Sequence, residues 1–243
     1  MKYAVLLLAT VTMASSFAQD KAKKFEFGFG GGANYSFSSM SGSHGKQIAL
    51  PGFKAGVAFD YMLSKKLFLT TKISYVRQNA KYKIDMNNSD STGTSDVTEI
   101  MNSYSWITAP IHLNYIITPK RSVKFFIGLG IVPSRLIDSK IKIKAIRSLG
   151  MGVVSGPEIS SYDRTNEWNF FASSQVGVQI PTNQGGKILI ALSFERSLMN
   201  LVRHTLPTSP AFDYTYNPSN IRLNSFSVEV SYVLNSTRNL SSN

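Results

Sequence analysis

Apolar and polar residues alternate with a period of two along most of the chain, most clearly in its last long run. Across residues 225–234, Phe226, Val228, Val230, Tyr232 and Leu234 share one parity, while Ser225, Ser227, Glu229 and Ser231 share the other. Such a run predicts a β-strand with one apolar and one polar face. Seven earlier segments repeat the pattern: 25–37, 53–61, 67–78, 103–117, 123–131, 168–180 and 187–195. Pro110 interrupts the fourth, which predicts a bulge or kink there. Glycines 28, 30 and 32 alternate inside the first with no helix following. They fit relief of crowding at a narrow wall better than a nucleotide loop.

The connections alternate in length. Polar stretches 38–50, 80–102, 133–166 and 197–220 are long, and turns at 63–66, 118–121 and 181–186 are short. The run Ile141-Lys142-Ile143-Lys144 inside the third long stretch is a candidate strand extension beyond a membrane. Short turns imply antiparallel neighbours. An even number of strands of this length, with turns at one end and loops at the other, predicts an all-β fold, an eight-stranded antiparallel up-and-down transmembrane β-barrel. Both termini lie on the turn side.

Composition then narrows the setting. Met1-Lys2, an apolar run over 3–14 and Ser16-Phe17-Ala18 read as a signal peptide over 1–18, cut before Gln19. The barrel domain is expected over 19–234 and a disordered tail over 235–243. The chain has no cysteine, hence no disulfide or thiolate metal site. Its formal net charge of +12 would suit nucleic acid, but export argues against that partner. The basic residues gather at expected strand ends (Lys21, Lys23 and Lys24; Lys65 and Lys66; Lys120 and Arg121), where they would meet lipid phosphates or form a solvated rim.

Alternation alone does not say which face meets lipid, and a soluble ligand-binding barrel would bury the apolar one. The polar parity carries Lys54, Lys72, Lys124 and Lys187 against Glu26, Asp60, Glu195 and Glu229. A lysine at the bilayer midplane costs roughly 2–4 kcal/mol, so in a membrane barrel these eight residues face inward as a lumen charge network. An eight-stranded barrel is just wide enough to be filled by its own side chains, so a plug is expected rather than a channel. Tyr61, Tyr75, Tyr115, Trp168 and Tyr232 fall near expected strand ends as a lipid-face aromatic girdle.

Candidate chemistry is sparse. His204 with Ser197, Ser209 or Asp213 would give an outer-leaflet lipid-modifying enzyme its triad, and His112 reads as a hydrogen-bonding strand residue. His44 lies in the first long loop. No pair of histidines or carboxylates sits at ligand spacing on a common face, so no metal and no cofactor is expected. Arg135, Lys140, Lys142, Lys144 and Arg147 could meet lipopolysaccharide phosphates or a surface partner, or form a hydrated loop.

The segment Y-S-W-I-T-A-P-I-H-L-N-Y-I-I over 104–117 resembles a strand of the PorT-like outer-membrane β-barrel family of Bacteroidetes. G-F-K-A-G-V-A-F-D-Y-M-L-S-K-K-L-F-L from Gly52, G-L-G-I from Gly128 and the closing S-F-S-V-E-V-S-Y-V-L agree. The resemblance implies an eight-stranded outer-membrane barrel, usually with no assigned activity and in some members serving secretion of cell-surface proteins. The alternating strands, the leader and the asymmetric loops point to a non-enzymatic interaction or structural protein. The expected partners are outer-membrane lipids and lipopolysaccharide, the barrel-assembly machinery during insertion, and a surface or periplasmic protein. The chain departs from the pattern in its tail beyond Leu234, which would place the insertion signal at 226–234.

Overall fold

Branched and aromatic side chains alternating with small or polar ones favour a pleated backbone. Each expected segment is a strand in the computed structural model, which describes residues 25–40, 46–87, 95–146, 153–155, 159–160, 165–182, 186–201 and 221–235. The strands are β1 (Phe25–Met40), β2 (Lys46–Met62), β3 (Leu67–Asn87), β4 (Ser95–Thr108), β5 (Ile111–Ile116), β6 (Lys124–Ile146), β7 (Val153–Ser155), β8 (Ile159–Ser160), β9 (Trp168–Pro181), β10 (Lys187–Ser197) and β11 (Ile221–Asn235).

β4 and β5 are two halves of one stave, both lying between β3 and β6. The break falls at Ala109-Pro110, as the proline predicts. Ala109 N still donates to Pro133 O (2.8 Å), and Pro110 O accepts from Lys72 N (3.1 Å). Around the wall, β1 pairs with β2, β2 with β3, β6 with β9, β9 with β10, β10 with β11, and β11 with β1, all antiparallel. Eight staves thus close into a barrel, which leaves no open sheet edge at the height of lipid. The short strands β7 and β8 pair with β6 outside the ring.

Two short turns are built as their residues suggest. Leu63 N and Ser64 N donate to Leu67 O, and Ser64 Oγ accepts from Lys66 N and Leu67 N. Thr118 Oγ1 accepts from Phe125 N at 2.9 Å. These turns share an end with Phe25, which pairs with Tyr61, and with Asn235, which pairs with Glu26.

Three of the four long connections are shorter than the sequence suggests. β1 and β2 enclose only 41–45, β3 and β4 only 88–94, and β6 continues to Ile146 as the 141–144 run predicts. Segments such as Lys81-Tyr82-Lys83 keep the period of two but carry lysine on the outer parity, so they look like loop when apolar belt residues are sought. Asn235 belongs to β11 and not to a tail. The expected leader and the remaining tail residues lie outside the described residues.

The wall is narrow enough to need glycine on its inner parity. A Cβ on Gly30 would stand 2.6 Å from Val230 O, and one on Gly32 would stand 2.0 Å from Val228 O. Here β1 runs too close to β11 for any side chain.

Candidate functional site

The two faces of the wall have opposite character. Outward positions are large and apolar on every stave, with Phe29 57% exposed, Ile73 56%, Leu129 72%, Val176 51%, Leu192 51% and Val228 51%. A continuous exposed belt of this kind belongs in hydrocarbon, not in water. Inward positions hold the polar parity, the reverse of a soluble barrel with a greasy cavity.

The interior is layered. Towards the loops, Val76, Tyr104, Trp106, Leu136, Phe171 and Leu223 pack with their neighbours into a buried apolar layer, Trp106 meeting Phe171 edge-on at 6.2 Å. Towards the turns, Phe68, Ile116, Phe126, Leu189, Ala191 and Val233 form a second. These layers are absent from the expected site residues. Their signal was present as large apolar residues on the otherwise polar parity.

Charges fill the remaining height in two groups. In the first, Glu229 on β11 takes Lys54 of β2 at 3.1 Å and pairs through its other oxygen with Lys72 of β3. Lys54 also lies 3.6 Å from Glu195 of β10. In the second, Lys187 of β10 stands 2.5 Å from Glu26 and 2.9 Å from Asp60, with its ammonium 5.5 Å from the Phe68 ring. A hydrogen-bonded chain crosses from there to β9. Thr70 donates to Asp60 (2.7 Å), Asn114 donates to Thr70 (3.0 Å), and Gln175 donates to Asn114 (2.6 Å).

Seven of the eight expected lumen charges therefore meet in ion pairs. Lys124 does not. It opens β6 at the turn-side rim, partly exposed, with no carboxylate within ion-pair distance among the described residues. His112 is buried, with Nε2 2.9 Å from Ser173 Oγ. Ser197, the described member of the alternative triad, is buried and donates to Asn169 Oδ1 and Met199 O. His44, His204, Ser209, Asp213 and Arg147 lie outside the described residues. No metal-binding cluster of His or carboxylates occurs among the described residues.

Of the aromatic positions, Tyr61, Tyr115 and Tyr232 stand on the outward parity near the turn side, and Trp168 opens β9 on the loop side. Tyr75 is not near a strand end, because β3 continues to Asn87. It is the last outward apolar residue on β3 before Arg77, and one inter-strand row links Tyr75, Ile107, Arg135 and Trp168.

A closed ring with an apolar outer belt and an ion-paired interior defines a transmembrane β-barrel. Residues 17–203 match the family model described as outer membrane protein beta-barrel domain, and the chain belongs to that family. It is a protein of the bacterial outer membrane. Among solved structures it is similar to the outer membrane protein OprG of Pseudomonas aeruginosa, at 12% identity over 89% of this chain and 98% of that one, TM-score 0.47. It is also similar to Ail, the attachment invasion locus protein of Yersinia pestis (13%, 86% and 98%, 0.39), and to neisserial surface protein A (14%, 84% and 95%, 0.38). A comparison with curated proteins found no match.

Proposed function

We propose that this protein is a non-enzymatic outer-membrane barrel, sealed to solutes, whose role is structural or one of interaction at the cell surface. The observation that carries this reading is the filled interior. The cavities left between Lys54, Lys72, His112 and Glu229, and between Asp60, Phe126 and Glu229, measure about 20 and 10 Å³, room for no more than single water molecules. A substrate or solute has no path through such a lumen, and a filled barrel serves as a rigid mount for what it displays outside.

The full chain refolded into planar bilayers is expected to be electrically silent. Reproducible single-channel steps would overturn the sealed reading. A lipid-modifying activity predicts an altered lipid A profile when the protein is expressed and a restored one with His204→Ala. Identical profiles in all three strains agree with the non-enzymatic reading. The same scaffold suits a part in secretion of cell-surface proteins, the role that the PorT-like resemblance implies, and loss of secreted surface proteins on deletion tests it.

A further inference from the structure

Among the described residues the loop-side rim is uneven. β3, β4 and β6 rise together as a sheet, paired as far as Asn87 with Ser95 and Val97 with Ile146. β10 ends at Ser197, and β11 begins at Ile221. On the outer face of this raised wall, β3 presents Arg77, Lys81 and Lys83, and β6 presents Arg135, Lys142 and Lys144. Inter-strand register sets them in facing rows across β4. Lys83, Glu99 and Lys144 share one row, and Lys81, Met101 and Lys142 the next. Of the carboxylates nearby, Glu99 is held by Lys81 at 2.8 Å, Asp138 lies at a β-bulge, and Glu167 stands just before Trp168, its backbone O accepting from Leu136 N. The face is therefore a cationic grid, roughly 10 Å between the flanking strands and about 7 Å between successive outward residues.

We infer that this face binds the phosphorylated headgroup of the outer leaflet's glycolipid. Position selects that occupant over a soluble polyanion. The grid begins where the apolar belt ends, since Arg135 shares a row with Tyr75, Ile107 and Trp168 and stands 5.8 Å from the Trp168 ring. Ile73 and Ile131 face outward below it, 56% and 50% exposed. A lipid whose acyl chains lie against these residues lifts its headgroup phosphates to the grid. Arg77 and Arg135 at the base offer planar, bidentate donors for phosphate, and the lysines above offer point charges to further phosphates on the headgroup sugars. The inference deepens the surface-interaction reading and rests on it, but not on the sealed lumen, which conductance reports separately.

The test is lipid retention by the purified full chain in phosphatidylcholine nanodiscs, using diphosphoryl lipid A and its dephosphorylated form. Native mass spectrometry is expected to find the phosphorylated lipid retained about tenfold more. Lys142→Gln with Lys144→Gln, and separately Arg77→Gln with Arg135→Gln, are each expected to lower retention about tenfold while heat-modifiable migration stays that of a folded barrel. On the wild-type chain, where no variant need fold, raising salt is expected to weaken retention. Equal retention of the two lipids, retention indifferent to salt, or undiminished retention by folded variants would overturn the inference. So would binding of inorganic polyphosphate with no preference for phosphorylated lipid, which would assign the face to a soluble polyanion.

Discussion

Among the residues of the lumen, Glu229 is the hub. It faces two lysines, Lys54 at 3.1 Å and Lys72 on its other oxygen, and also accepts from Ser231 Oγ at 3.2 Å. Removing one member of a buried ion pair leaves the other charge uncompensated, typically at 3–5 kcal/mol, about what Glu229→Gln is expected to cost. Glu195→Gln leaves Lys54 its nearer carboxylate, so a loss of about 1 kcal/mol is expected. Urea unfolding of both variants in lipid vesicles, followed by tryptophan fluorescence, checks the order. Equal losses would remove Glu229 from its central place. Parity in the sequence identified the charges that share a face, because side-chain direction repeats every two residues. It could not choose their partners. The Lys72–Glu229 pair joins residues 157 apart in sequence, and only the stagger of the closed ring brings them together. Lys124 shows the same limit from the other side, since parity places it inward but says nothing of its height at the rim.

At the scale of the strand, the apolar belt was legible and the raised wall was not. Ile127, Leu129 and Ile131 alternate against glycines and a valine, which reads as membrane strand. Above them the outer parity of β6 becomes Lys140, Lys142 and Lys144, a pattern suited to a strand with water on its outer side. The Lys81–Glu99 pair ties β3 to β4 in this region. The hydrogen bond from the Lys81 ammonium holds the Glu99 carboxyl below its usual range. A depressed carboxyl stabilises the folded state above its unfolded pKa, and that stabilisation is lost as pH falls through the folded value. Because the pair stands in water, it is worth no more than about 1 kcal/mol. Amide exchange at residues 81–83 and 99–101 is therefore expected to quicken modestly between about pH 6 and about pH 3, after correction for intrinsic rates. Lys81→Gln is expected to remove most of the dependence, leaving the smaller pull of Lys144 and Lys83. Exchange that slows on acidification would reverse the sign argued here.

For the whole molecule, closure and direction follow from one another. β1 pairs with β11 from Glu26–Asn235 to Met40–Ile221, so both ends of the described barrel lie beside the short turns. In outer-membrane barrels the short turns face the periplasm and the longer connections the exterior. That direction places the exposed Lys65 and Lys66 inside the cell envelope and Lys142 on its surface. The alternation of short and long connections made this polarity readable from the sequence, even though three of the long ones were overestimated. The chain has no cysteine, so single introduced thiols report position without background. A membrane-impermeant maleimide added to intact cells is expected to label Lys142→Cys. It is expected to reach Lys65→Cys only after the outer membrane is permeabilised. Neither substitution touches the belt or the lumen, so both variants are expected to migrate as folded barrels. Labelling of Lys65→Cys in intact cells, with Lys142→Cys protected, would invert the barrel. The cationic wall would then face the periplasm, and the glycolipid of the outer leaflet could not be its ligand.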